Sequence, residues 1–232
     1  MTRRLHLLLL SAAMLATPAA AAERSFTITG FDQIRVNGPY KVRVTTGLAT
    51  FSRATGSVQA LDGISLEVNG QSLTVRRNPS TPSGYPGQPL GPVEIEVGTH
   101  DLRSATVVGS GSVDINAVRA LAFNLIVEGA GSARVASMNA DLVKVSIAGT
   151  GSASLAGSAK SATLVIRGVS SFEGTGLSVK DAVIGGEGPS IIRLTVTNSA
   201  KVNVKGVAQV MLEGAPACIV SAEGSTTVSG CQ

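Results

Sequence analysis

The sequence predicts an all-β protein: a right-handed parallel β-helix with coils of about 18–20 residues, preceded by irregular strands. Three observations carry this. A short phrase returns at a fixed distance, as "GSGSVDI" at 109–115, "GAGSARV" at 129–135 and "GTGSASL" at 149–155. Apolar and polar residues alternate with period two on either side of that phrase, the mark of strands with one face inward. The 232 residues include 27 Gly, no Trp and two Tyr, so the core must be built from Val, Ile, Leu and Ala in close, regular contact.

Taken in chain order, residues 1–22 read as an export signal. Arg3 and Arg4 form a positive start, Leu5 to Leu15 an apolar run, and Ala20, Ala21 and Ala22 a small-residue cleavage site. The alternative is an N-terminal anchor, but the run is shorter than the ~20 residues a membrane span requires. No cysteine follows to take a lipid, and no other segment is long and apolar enough to cross as a helix. One domain is expected over 23–232. In it, "IRVNG", "YKVRVTTG", "ISLEVNG" and "SLTVRR" alternate cleanly within 34–77. The turns "NGP" at 37–39 and "NGQ" at 69–71 join them into strand-turn-strand units, a cap and first coils of the column. "NPSTPSGYPGQPLGP" at 78–92 is a Pro/Gly-rich loop, and "VEIEV" at 93–97 resumes strand pairing. No helix is expected beyond the leader.

The repeat is read from its glycines. With zero at Gly109, Gly129, Gly149, Gly168, Gly186, Gly206 and Gly224, the spacings are 20, 20, 19, 18, 20 and 18. Two residues earlier stand Val107, Val127, Ile147, Ile166, Ile184 and Val204, all aliphatic. These are expected to form one buried file. Four earlier stand Ala105, Leu125, Val145, Leu164, Ala182 and Val202; four later stand Val113, Ala133, Ala153, Phe172, Ser190 and Val210. Each phrase is then the corner of a coil. Gly109, Gly129 and Gly149 take the positive φ that a sharp corner demands, and serines at the corner bond to nearby backbone. Seven coils at the spacing of paired strands make a column of roughly 34 Å. Stacking places Asp114 beside Arg134, Lys205 beside Glu223 and Asp181 beside Lys201, each contributing a few tenths of a kcal/mol.

Two cysteines, Cys218 and Cys231, close the sequence. In an exported chain they are expected to pair and pin the last residues over the open end of the column; the alternative is two buried thiols. Formal charge is +4 over the full chain, with 19 Lys and Arg against 15 Asp and Glu. Without Arg3 and Arg4, 17 cations face 15 anions, a net +2 that removes the support for nucleic-acid binding.

"FDQIRVNGPYKVRVTTG" at 31–47, followed by strand-rich sequence and units like "VVGSGSVDI", resembles the head GIN domain family, labelled putative auto-transporter adhesins. The resemblance spans 26–228. It implies a bacterial exported β-helical domain of the cell envelope and carries over no catalytic residue.

The residues offer little chemistry of their own. His100 is the one histidine after the leader, and with Asp101 and Arg103 it forms the densest reactive cluster, a weak candidate for a polar or sugar-binding patch. A polar corner between strands is the simpler reading. No GxSxG elbow, phosphate-loop lysine or metal-ligand spacing occurs. Glu94 and Glu96 alternate to one face and are the closest carboxylate pair for glycoside chemistry. The expected function is a non-enzymatic exported binding or adhesion module, without cofactor, whose partner is an envelope protein or glycan. Alternatives are a β-helix enzyme acting on polysaccharide and a structural subunit that assembles end to end, as a homo-oligomer.

Overall fold

The computed structural model describes residues 22–80 and 91–232. Residues 1–21 of the expected export leader and 81–90 of the Pro/Gly-rich stretch lie outside the described residues. The rest is nearly all-β, a β-solenoid of about six turns with irregular N-terminal strands. The sequence reading expected seven coils, one more than the number of turns the structure has.

In the repeating part, β8 (Ser104–Gly109) and β9 (Ser112–Ile115) form two sides of a coil. β10 (Val118–Gly129), β11 (Ser132–Gly149), β12 (Ser152–Gly168), β13 (Ser170–Glu187) and β14 (Ser190–Gly206) follow. β15 (Ala208–Glu213), β16 (Ala217–Gly224) and β17 (Thr227–Ser229) end it. All of these pair in parallel with neighbouring coils, β16 and β17 with the preceding coil alone. Val107, Val127, Ile147 and Ile166 are successive partners and fully buried, as the period demanded. From β11 to β14 only the Gly corner interrupts the strands; breaks also fall at 116–117, before β10, and at 214–216, before β16. The remaining corners are bends within continuous ladders, marked by register shifts such as that between Val135 and Met138. A bulge bends a strand without ending it, and the ladder between β11 and β12 accordingly falls into three stretches, 132–135, 138–140 and 142–149, the middle one a short third side of the coil.

The corner explains its glycines. At Gly149 φ is +114°, and the Thr150 N–H donates to the Gly129 carbonyl oxygen of the coil below at 2.9 Å. A Cβ at Gly149 would stand 2.6 Å from that oxygen. Glycine is needed for conformation and for the approach of the next coil.

One coil departs from the sequence reading. Its corner is Gly188, with φ +92°, and not Gly186. Ile184 therefore lies in the neighbouring file, between Leu164 and Val202, while Gly186 takes the place between Ile166 and Val204. Ile192, not Ser190, follows Phe172 and precedes Val210. Asp181 faces Ser199, and Lys201 faces Val183. The slip is two residues, which leaves every side chain on its correct face, so hydrophobic alternation cannot detect it. Core volume is balanced within coils: Phe123 shares its coil with the small Ala133, and Phe172 shares its coil with Ala162.

The N-terminal strands join the column out of order. β2 (Gln33–Asn37) pairs in parallel with both β6 (Ser72–Arg77) and β8, and β3 (Lys41–Thr46) with both β7 (Glu94–Thr99) and β9. The first coil in sequence is thus sandwiched between the second and the third. "NGP" is a coil corner at Gly38, between β2 and β3, whose N–H donates to the Val108 carbonyl oxygen at 2.9 Å; "NGQ" is a hairpin between β5 (Ile64–Asn69) and β6. β1 (Ala22–Ser25), β4 (Phe51–Gly56) and β5 run antiparallel and cover the N-terminal end. A short helix, α1 (Val58–Asp62), lies between β4 and β5 and buries Ala60 and Leu61. Ser57 caps it, its Oγ accepting from the Ala60 N–H at 3.1 Å. The sequence reading missed α1 because one turn and a half is too short to show a helical period.

Candidate interaction surface

His100, Asp101 and Arg103 sit in the connection between β7 and β8 without converging. His100 is exposed, and its carbonyl accepts from the Gly47 N–H. Arg103 turns to Asp32, with Nε 3.5 Å from Oδ2 and its backbone N–H donating to the Asp32 carbonyl at 2.7 Å. Asp101 and Arg103 share a hollow of about 370 Å³ with Arg119 and Leu121, and His100 does not line it.

Glu94 and Glu96 share a face, each beside a cation of β3. Lys41 Nζ is 3.7 Å from Glu94, and Arg43 donates to Glu96 at 2.6 Å. Across the coils the order is Glu96, Arg43, Asp114, Arg134, with alternating sign. Another ladder runs Arg167, Glu187, Lys205, Glu223, with contacts of 3.3 Å and 3.1 Å at its first and last pairs. Beside it Gly185 and Gly186 floor a hollow of about 250 Å³. Among the described residues, no group of three or more His, Cys, Asp or Glu could hold a metal ion, and no helix is long and apolar enough to cross a membrane.

Three carboxylates lie below their ordinary pKa. Asp181 is held down by the hydroxyl of Ser199 and the amide of Asn198, both donating at 2.6 Å. Glu173 is held down chiefly by Thr175, and Glu67 by Ser65 and then Arg76. Tyr40 is pushed up by burial. These are bonds that organise the faces; none sits beside a second reactive group.

An apolar opening follows the Gly corner. The residue after each corner glycine is Thr150, Val169, Pro189, Val207 and Ser225 in successive coils. Val169 and Val207 are each 61% exposed, and Ile191 is exposed beside them. They border a groove of about 530 Å³, with Gln209, Thr227 and the buried Ser170 and Ser190 among its lining. Ser170 Oγ donates to the Gly149 carbonyl at 3.0 Å, whereas Ser190 Oγ is buried with no hydrogen-bond partner among the described residues. The sequence reading passed over this stripe. Its signal was the column one residue after the corners, hidden where the corner was set at Gly186.

Fold and surface together define a β-solenoid scaffold with rigid, ladder-built faces. The family model described as "Putative auto-transporter adhesin, head GIN domain" matches residues 30–216, and the chain belongs to that family. A putative adhesin from Bacteroides fragilis has the same fold, with TM-score 0.79 and 20% identity over 91% of this chain and 97% of its own. A structure described as a putative lipid binding protein from Parabacteroides distasonis gives 0.68 and 18% over 90% and 96%. A putative adhesin from Parabacteroides merdae gives 0.69 and 15% over 90% and 95%. A comparison with curated proteins finds no match.

Proposed function

We propose that this chain is an exported, non-enzymatic binding module of the bacterial envelope, and that it holds an envelope protein against the corner groove. The observation that carries this is the line of Val169, Ile191 and Val207, exposed on a backbone that cannot collapse to hide them. Contiguous apolar surface on a rigid scaffold is characteristic of an interaction site. Family membership supports the adhesive sense of the reading. The groove carries no charged side chain, so its partner there is apolar or hydroxyl-rich rather than ionic. The enzyme alternative has its closest carboxylates, Glu94 and Glu96, engaged by Lys41 and Arg43.

The test is retention of the purified protein, coupled to beads, on isolated bacterial envelopes. Wild type is expected to be retained, and Val169→Asp with Val207→Asp to reduce retention at least about tenfold, the ratio given by 1.4 kcal/mol. Protease treatment of the envelopes should abolish retention and periodate oxidation of sugars should not. Equal retention by the double variant overturns the groove, periodate sensitivity alone makes the partner a glycan, and release of reducing ends from polysaccharide overturns the non-enzymatic reading.

A further inference from the structure

The two ends of the solenoid differ. At the N-terminal end, β4 and β5 lie antiparallel on β7 and β6, and α1 buries Ala60 and Leu61 there. At the other end β16 pairs only with β14, and β17 only with β15. Val220 continues the file of Leu164, Ile184 and Val202, yet it is 45% exposed where Val202 is 1% exposed. Nothing among the described residues lies over it.

Edge strands are ordinarily protected by Lys, Pro, bulges or a covering element. β16 reads "ACIVSAEG" and contains none of these. Its one charge, Glu223, is already answered from below by Lys205 at 3.1 Å. The Cys218–Cys231 disulfide ties the last residues to the start of β16, with the Gln232 N–H donating to the Pro216 carbonyl oxygen at 3.1 Å. It closes the last coil on itself and leaves β16 exposed along nearly its whole length.

We propose that this end is a dimer interface, and that its occupant is the same end of a second copy of this chain. The N-terminal end, under antiparallel strands and α1, offers no matching parallel edge for head-to-tail stacking, which leaves the same end of a second copy as the match within this chain. An antiparallel pairing of β16 with its twin, with the two-fold axis at Val220, satisfies the geometry. Facing residues then share a side of the sheet: Val220 meets Val220 of the second copy, Cys218 meets Ala222, and Ile219 meets Ser221. Self-pairing sets like against like wherever charge lies on the axis, but here Glu223 faces Ala217. The contact is isologous and closes at two copies. The buried files of the two solenoids become one. This surface is separate from the corner groove, so it stands or falls independently of the partner proposed there.

Sedimentation of the purified protein over a hundredfold range of concentration tests this. Wild type is expected to move from monomer to dimer and no further. Val220→Lys is expected to remain monomeric throughout, while Val207→Lys, on the corner, still dimerises; circular dichroism establishes that both variants are folded. A wild type that stays monomeric, a Val220→Lys variant that still dimerises, or growth beyond two copies overturns the proposal.

Discussion

At the scale of single residues, the glycines with positive φ divide into two kinds. Gly149 has both positive φ and a carbonyl oxygen 2.6 Å from where a Cβ would stand; Gly47 has φ +79° with nothing within 4 Å. Gly47→Ala is expected to cost about 1 kcal/mol, the backbone penalty alone. Gly149→Ala should cost at least about twice as much, because the coil spacing must also open. Urea unfolding of the two variants distinguishes them, and equal losses would mean the stack yields at no cost. The sequence showed that these positions are glycine at a fixed period. It did not show which oxygen each one meets, since that belongs to a residue some twenty positions away.

At the scale of the element, each outer face is a set of ladders, and some of its bonds answer to pH. Asp181, Glu173 and Glu67 have lowered pKa in the folded chain because hydroxyl, amide and guanidinium donors favour the charged form. The unfolded chain then binds more protons than the folded one across the acid range. Stability is therefore complete above the ordinary carboxylate pKa of about 4 and falls as pH drops below it. Denaturant titrations from pH 7 to 3 are expected to show a plateau and then a decline, shallower in Ser199→Ala, which loses a donor to Asp181. An unchanged slope in that variant would mean the hydroxyl does not favour the carboxylate. The partner of Asp181 illustrates the limit of pattern reading. Periodicity paired it with Lys201, and the structure pairs it with Ser199, because "GGEG" at 185–188 offers two glycines of one parity. The same ambiguity displaced Ile184 from its file and concealed Pro189 and Ile191 on the groove.

At the scale of the whole molecule, stability is distributed coil by coil, each resting on its neighbours. The last coil has a neighbour on one side only and is closed by Cys218–Cys231, 13 residues apart. Loop closure of that size contributes about 3 kcal/mol in the chain-entropy model. Replacing both cysteines with serine is expected to free the amides of 217–229 to hydrogen exchange while those of 132–206 stay protected. Loss of protection throughout would show that the column unfolds as one unit, and no loss would show that the disulfide is dispensable.

The sequence by itself determined the coil, its corner and its inward files, because those depend on a local period that every turn repeats. It also identified the cysteines that close the last turn. Only the tertiary structure decided which residue stands on which, for a slip of two preserves every local preference. It alone placed the coil of β2 and β3 between its successors, since parallel pairing accepts any coil of matching shape. It alone left one end of the column capped and the other bare, because the cover over an end comes from contacts distant in the chain.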